Sequence, residues 1–206
     1  YRYPVHAATS PATRPVVIGS GPCGVFAGLS LARMGLKPLI LERGRSVRER
    51  TQDVWGFWRE RRFSPVSNVQ FGEGGAGTFS DGKLYSQIRD PRHHGRKVLT
   101  EFVKAGAPDE ILYVAKPHIG TFRLVTVVEN VRAEIEALGG EYRFGTKVVD
   151  LDIAEGADGA RQLRRRRIAV TGARVREYAG AGRGLKFFWK VAPQPGGAEA
   201  LMQHHD

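Results

Sequence analysis

Three glycines near the start of the chain, Gly19, Gly21 and Gly24, are spaced in the pattern G-x-G-x-x-G. Glycines at this spacing allow a tight turn out of a strand, a close approach of a pyrophosphate to the backbone, and close packing of a helix on the strand. The free N–H groups at the start of that helix favour a negatively charged group. A carboxylate, Glu42, follows 23 positions after Gly19, near the spacing at which an acidic residue accepts hydrogen bonds from a ribose diol. These four residues therefore predict a dinucleotide site.

Regular elements on both sides of the turn must hold these residues in place. The run Val16–Ile18 is apolar, β-branched and bounded by a proline and a glycine, so it predicts a short buried strand. Residues 25–34 predict a helix with an apolar face, and residues 38–41 predict a second strand that ends at Glu42. This order favours the dinucleotide interpretation over a glycine-rich turn in an ordinary α/β protein. The next residue, Arg43, either approaches an adenosine phosphate or ribose or is a solvated surface arginine.

A second glycine-rich stretch, residues 68–84, has the sequence NVQFGEGGAGTFSDGKL and contains five glycines. Glycine at this density costs conformational entropy on folding, and it is best explained where backbone passes close to a ligand and presents N–H groups to it. A flavin ring or a ribityl-pyrophosphate chain is such a ligand. The alternative is a flexible surface loop. The bounding apolar residues Phe71, Phe79 and Leu84 favour a tethered loop, and therefore the ligand interpretation.

Three further helices are predicted by apolar residues at helical spacing. They cover much of residues 43–62, with the aromatic side chains of Trp55, Phe57 and Trp58 on the buried side, residues 90–105, and residues 121–138, where the amphipathic pattern is clearest.

Two short strands, residues 141–144 and 147–151, follow the last of these helices. If the second of them lies beside the first strand of the chain, the main chain of Val148 meets an adenine edge. Beyond about residue 152 the ordered periodicity gives way to an arginine run, Arg164 to Arg167, and many alanines and glycines. No second domain with its own core is expected there.

Composition limits the classes of protein that fit. The chain has 206 residues, enough for one good α/β core, and no stretch typical of a membrane span or a secretory leader. A first residue other than Met indicates a missing N-terminus. The single cysteine, Cys23, excludes an intramolecular disulfide framework and favours a cytoplasmic, reduced setting. No metal-ligand spacing is present, so no metal is expected. The net charge of +11 is spread along the chain apart from the arginine run, which suits anionic ligands.

Long stretches of the sequence resemble a known family. RPVVIGSGPCGVFAGLSLARMG, LERGRSVRERTQDVWGFWR, SNVQFGEGGAGTFSDGKLYSQIRDPRHHGRKVLTEFVKAGAPDEILYVAKPHIGTFRL and IEALGGEYRFGTKVVDL occur in this order. Together they resemble the bacterial family of uncharacterised FAD-dependent dehydrogenases, which are NAD(P)/FAD-dependent oxidoreductases of the flavoprotein type with two dinucleotide-binding domains. The resemblance covers roughly residues 14–151.

The resemblance implies an α/β fold: a Rossmann-like FAD-binding domain with a parallel sheet and flanking helices. We expect residues 1–14 to be a lead-in segment and residues 15–152 to be the FAD-binding domain, which is incomplete. Residues 153–206 do not match the family pattern, and their composition predicts an irregular, truncated basic tail. The resemblance further implies that FAD is held non-covalently, with its pyrophosphate at the first glycine turn, its ribose on Glu42 and the second glycine loop along it. NAD(P)H is a candidate electron donor, and the substrate is an unknown small molecule. The expected cofactor-binding residues are Gly19, Ser20, Gly21, Pro22, Cys23, Gly24, Glu42, Arg43, Gly74, Gly75, Ala76, Gly77, Thr78 and Val148.

Several interpretations stay open. The first is an FAD-dependent oxidoreductase that transfers hydride through the flavin, with no catalytic nucleophile or base assigned. The second is a truncated or frameshifted, catalytically inactive FAD- or ADP-binding fragment. The third, binding of nucleic acid through the basic residues, is the least favoured because the arginine run has no interleaved aromatic residues. Glu42 disfavours a 2′-phosphate, and hence NADP, at this site. Cys23 is interpreted as a small packing residue rather than a reactive thiol.

Overall fold

The computed structural model describes residues 14–86, 89–155 and 161–170, and for residues 150–155 and 161–170 only the backbone is described. Strand β1, Val16–Ile18, leads through the glycine turn into helix α1, Pro22–Arg33, and strand β2 follows at Leu39–Leu41. A proline at the first turn suits a helix start, because that turn needs no N–H from it. The predicted strand–turn–helix–strand unit is therefore present.

A three-stranded parallel sheet forms the centre of the fold, in the order β1-β2-β3, where β3 is Glu141–Arg143. Val17 of β1 lies opposite Ile40 of β2, and Ile40 in turn lies opposite Tyr142 of β3. The central strand β2 is almost completely buried, as expected for a parallel strand covered on both faces. The predicted α/β class, a parallel sheet with flanking helices, is confirmed.

Two helices pack on one face of this sheet. Helix α4, Thr121–Ala137, lies against α1, and the side chain of Ile135 approaches the position where Gly28 would carry a Cβ, at 3.4 Å. Side chains from β1, β2, α1 and α4 form the main core there, together with residues of helix α3, His94–Lys104, and of the turn at Asp109–Leu112. Gly28 thus lets the two helices and the sheet meet closely.

Helix α2, Val47–Glu60, differs from the expectation for its side chains. The residues Trp55 and Trp58 are 47% and 71% exposed, so the prediction that their side chains lie on the buried side is wrong. The buried side of α2 carries Val47, Val54 and a charged residue, Arg50. A charged side chain can take a buried position when hydrogen bonds satisfy its polar atoms, and Arg50 is treated with the site below.

Strand β4, Val148–Glu155, pairs antiparallel with strand β5, Arg161–Val170, in a separate two-stranded sheet. The conditional placement of β4 beside β1 is therefore wrong, and β2 is the strand that pairs with β1. The side chain of Val148 packs near Leu39 and Leu41, on the sheet face opposite the helices. Strand β4 runs across the expected domain boundary at residue 152, and regular structure reaches Val170. The rest of the expected irregular tail, like most of the expected lead-in segment, lies outside the described residues.

Candidate functional site

The glycine turn between β1 and α1 has the geometry that its spacing predicts. Gly19 has a φ of +86°, which favours glycine, and its N–H donates to the Leu41 carbonyl at 2.7 Å. A Cβ on Gly24 would overlap the carbonyl oxygen of Gly19, so only glycine allows this contact. The N-cap of α1 is Gly21, with no side-chain cap and no acidic residue in the first turn. The first amides of α1 therefore remain suited to an anion.

Glu42, directly after β2, holds the first turn from the side. The residue is 4% exposed, and its carboxylate accepts hydrogen bonds from the N–H of Ser20 at 2.7 Å and from the Ser20 hydroxyl at 2.9 Å. The N–H of Gly44 donates to the other carboxylate oxygen at 2.8 Å. A carboxylate has about four acceptor positions, so these donors leave room for one more. Glu42 thus has a structural role in this turn that its sequence spacing did not reveal.

The second glycine segment lies directly against the first. The N–H of Gly74 donates to the Ser20 carbonyl at 2.8 Å. A Cβ on Gly75 would come within 3.1 Å of the Gly21 Cα and of the Pro22 Cδ. Both Gly74 and Gly75 have positive φ angles, of +81° and +70°. The two segments singled out separately in the sequence are therefore parts of one surface.

A buried arginine on α2 holds the second segment, and no sequence motif pointed to it. Arg50 is fully buried, and its guanidinium donates to the carbonyls of Asn68 and Val69, each at 2.8 Å, and of Glu73 at 2.6 Å. A longer contact joins it to the Gly72 carbonyl at 3.4 Å. Burial lowers the pKa of Arg50 to about 10, because a low-dielectric surrounding disfavours the charged form. Arg50 remains protonated at neutral pH.

A buried carboxylate, Glu73, ties the same segment to two helices. It accepts the N–H of Val47, at the start of α2, at 2.7 Å and the Nε–H of Arg132, on α4, at 2.8 Å. Burial raises the pKa of Glu73, and the bonds from Val47 and Arg132 act in the opposite direction. The second glycine segment is thus held through its main-chain carbonyls, by Arg50, and through the Glu73 carboxylate, by Val47 and Arg132. It is not a free loop.

The other predicted cofactor residues are distributed around this surface. Cys23, Ala76 and Gly77 are exposed, and the side chain of Thr78 is buried. Arg43 turns away from Glu42: its guanidinium donates to the carbonyl of residue 65 at 2.9 Å and stacks on Phe71 at 4.0 Å. The structure therefore brings the two glycine segments and Glu42 together and places the Arg43 side chain against Phe71 of the second segment. Val148 packs with Leu39 and Leu41 instead.

Metal sites and membrane-crossing helices are both absent from the described ranges. No group of three or more histidine, cysteine, aspartate or glutamate side chains there is arranged to hold a metal ion. In the same part of the chain, no helix combines the length and the apolar character that a membrane crossing needs. A surface pocket of about 310 Å³ is lined by residues of α2 and by Arg62. It includes neither glycine segment, so it is separate from the site described above.

Comparison with known proteins gives a partial match in sequence. No family model matches the chain. A curated protein of Clostridium beijerinckii (strain ATCC 51743 / NCIMB 8052), described as an uncharacterized protein, is 53% identical over 143 residues, which are 69% of this chain and 26% of the relative. The chain therefore spans about a quarter of the length of that relative.

Solved structures match over more of the chain at lower identity. THI4 of Thermovibrio ammonificans matches with a TM-score of 0.48 and 16% identity, over 78% of this chain and 47% of that one. An FAD-bound form of OTEMO matches with a TM-score of 0.38 and 16% identity, over 81% and 24% of the two chains. The 3-ketosteroid-Δ4-(5α)-dehydrogenase of Rhodococcus jostii RHA1, in complex with 4-androstene-3,17-dione, matches with a TM-score of 0.39 and 16% identity, over 75% and 44%.

Proposed function

We propose that this chain is the FAD-binding portion of a flavin-dependent oxidoreductase of the dehydrogenase family that its sequence resembles. The observation that carries the proposal is the contact between the two glycine segments. The Gly74 N–H donates to the Ser20 carbonyl, and the backbone of Gly75 lies close to that of Gly21. A glycine turn at a helix N-terminus is common to many nucleotide sites. A second glycine segment fixed against it adds the extended backbone surface that a long cofactor needs.

The residues present fit such a cofactor. The uncapped start of α1, with Cys23 exposed, is suited to the pyrophosphate, and the remaining acceptor position on Glu42 is suited to the ribose. The segment Gly74 to Thr78 would run along the cofactor, with the exposed Ala76 and Gly77 next to it. FAD, when bound, supplies hydride transfer at its flavin ring, while the protein binds and orients it. NAD(P)H as the electron donor and a small-molecule substrate belong to the same proposal.

The second candidate is an FAD- or ADP-binding fragment without catalytic activity. It rests on one observation: the chain spans about a quarter of the curated relative's length, and a cofactor site in that part does not by itself supply a complete active site. The two candidates share the cofactor site and differ in turnover. Reduction of bound flavin by NADH or NADPH, followed at the visible absorption of oxidised flavin, separates them.

The first experiment is a visible absorption spectrum of the purified 206-residue chain, followed by the spectrum of the supernatant after denaturation. A flavin spectrum that is released on denaturation and that migrates as FAD supports the proposal. A colourless chain that stays colourless after incubation with FAD, and whose melting temperature FAD does not raise, contradicts it, since a ligand that binds only the native state must stabilise that state.

Replacement of Glu42 by Ala is expected to weaken ADP and FAD binding about tenfold or more, because a hydrogen bond to a charged group contributes about 1.5–3 kcal/mol. It is also expected to destabilise the chain, because the Ser20 and Gly44 amides lose their acceptor. The ribose contact is isolated by comparing ADP with 2′,3′-dideoxy-ADP by calorimetry. Wild type should prefer ADP, and the Glu42→Ala chain should bind the two nucleotides equally.

Cys23→Ala provides the matched control, because Cys23 lies at the start of α1 beside the same candidate site. Its side chain is exposed, and alanine keeps the main-chain N–H at this position. This variant should keep the wild-type affinity for FAD and the wild-type preference for ADP. An equal loss of FAD affinity in both variants would show that any substitution beside the first glycine turn disturbs FAD binding. If the wild-type chain binds ADP and 2′,3′-dideoxy-ADP equally, Glu42 does not contact the ribose.

A further inference from the structure

Residues 68–75 pair with no strand among the described residues. Two of their N–H groups donate to distant carbonyls, Glu73 to Arg45 and Gly74 to Ser20. Four of their carbonyls contact one side chain: the guanidinium of Arg50 lies close to those of Asn68, Val69 and Glu73 and 3.4 Å from that of Gly72. Buried carbonyls without a hydrogen-bond donor are costly, so Arg50 supplies the N–H donors that a neighbouring strand would otherwise supply.

Packing around the guanidinium restricts the segment further. Gly72 has a φ of +119°, and a Cβ there would lie 2.5 Å from the Arg50 Cδ. On its other side, a Cβ on Gly44 would lie 2.5 Å from the Gly72 Cα. The ring of Phe79 stacks on the guanidinium, with its centroid 4.8 Å from the Arg50 Cζ. The backbone at Gly72 is therefore held between Arg50 and the turn after β2.

The direction of these bonds matters for the site. Arg50 binds the carbonyls of Gly72 and Glu73 on the side of the segment that faces α2. The residues after Glu73, Gly74 and Gly75, therefore face the first glycine turn, where the Gly74 N–H donates to the Ser20 carbonyl. We propose that Arg50 is a positioning residue for the cofactor's diphosphate: it fixes residues 72–75 against the Gly21 turn before any ligand arrives. This inference rests on the proposed FAD site and adds a residue to it that does not itself touch the ligand.

Lysine cannot replace Arg50 in this role. An ammonium group is a compact point charge, whereas the guanidinium presents five N–H donors in fixed directions. Arg50→Lys keeps the charge and much of the length but loses the simultaneous bonds to several carbonyls. We expect FAD and ADP to bind about 10- to 100-fold more weakly to Arg50→Lys, the range that corresponds to one or two charge-assisted hydrogen bonds. AMP, which lacks the diphosphate, should lose much less, so the ratio of ADP affinity to AMP affinity should fall.

The control is Glu101→Gln on α3. Glu101 is buried and ion-paired to Arg33 and Lys97, neither of which belongs to a glycine segment. This variant is expected to lower stability while leaving FAD affinity within about twofold of wild type. Equal losses of ADP and AMP affinity in Arg50→Lys, or an equal loss of FAD affinity in both variants, would overturn the inference. So would wild-type affinity in a folded Arg50→Lys chain.

A second measurement covers the case in which Arg50→Lys does not fold. In the wild-type chain without ligand, hydrogen exchange by NMR should show protection of the Gly74 amide and of the Arg50 Nε–H, which donates to the Asn68 carbonyl. Exchange as fast as in the exposed loop at residues 115 and 116 would contradict a prearranged segment. If the wild-type chain does not bind FAD, the proposed function fails. The exchange data then still show whether Arg50 fixes the segment.

Discussion

Gly24→Ala is expected to unfold this chain or to lower its free energy of unfolding by about 3 kcal/mol. The added methyl group would overlap the carbonyl oxygen of Gly19, and the Gly19 carbonyl carbon lies 2.9 Å from the same point. Both are backbone atoms of a turn fixed by β1 and β2, so no side chain can move aside to relieve the overlap. Urea unfolding followed by circular dichroism measures the change.

Gly77→Ala is the matched control for this prediction. Gly77 lies in the second glycine segment, and its φ is not positive. Apart from Gly77 and its two chain neighbours, no residue has an atom within 4 Å of the Cβ it would gain. A glycine-to-alanine change at such a position stabilises by about 0.4–1 kcal/mol, because the unfolded chain loses freedom. Equal midpoints for Gly24→Ala and wild type would show that α1 does not pack on β1 as described.

Glu101→Gln is expected to cost about 2 kcal/mol of stability at pH 7. The carboxylate of Glu101 is 1% exposed and lies 2.7 Å from the Arg33 guanidinium, which joins α3 to α1, and 2.5 Å from the Lys97 ammonium. Loss of one partner from a fully buried ion pair costs about 3–5 kcal/mol. We expect a cost below that range, about 2 kcal/mol, because Arg33 and Lys97 are each 19% exposed and can be hydrated once the carboxylate is lost.

The cost should depend on pH with a defined sign. Burial acts to raise the pKa of Glu101, but the hydrogen bonds and charges of Arg33 and Lys97 outweigh it and lower the pKa from 4.5 to about 2. A carboxyl group whose pKa is lowered on folding stabilises the native state above its unfolded pKa. That stability is lost as the pH falls from about 4.5 towards 2. The difference between wild type and Glu101→Gln should therefore shrink over this range in urea titrations.

Glu134→Gln separates the buried group from an ordinary surface pair. Glu134 also pairs with Arg33, at 2.6 Å, but its carboxylate is 40% exposed. Exposed pairs contribute up to about 1 kcal/mol, so this variant should lie close to wild type at every pH. A pH-independent cost for Glu101→Gln, or equal costs in the two variants, would contradict the charged network around α3.

The first unit of the fold, residues 16–42, is predictable from sequence because its signals are local. A β-branched strand, a glycine turn and an amphipathic helix are each recognised within a few residues, and Gly19 and Gly24 have the predicted geometry. The pairing of β4 was not predictable in the same way. Which strand lies beside which depends on contacts between residues far apart in sequence. The sequence predicts a strand at residues 147–151, but the structure pairs it with β5 and not with β1.

The candidate site shows the same limit in its side chains. The spacing predicts Glu42, but its bonds to the Ser20 and Gly44 amides have no sequence signature. Nothing in the sequence points to Arg50, because an arginine in a charged helix normally faces solvent and any residue can supply the main-chain carbonyls that Arg50 contacts. Trp55 and Trp58 show the converse error: apolar character favours burial but does not decide which side of a helix is covered.

The order of strands in the central sheet has a consequence for how this chain is made. Strand β2 lies between β1 and β3, and β3 begins one hundred residues after β2 ends. A ribosome adds about 5–20 residues per second, so the nascent chain carries β2 without its second partner for about 5–20 seconds. Sheets that pair distant segments also fold slowly. During that interval an apolar strand edge is exposed, and protection by a chaperone is most valuable then.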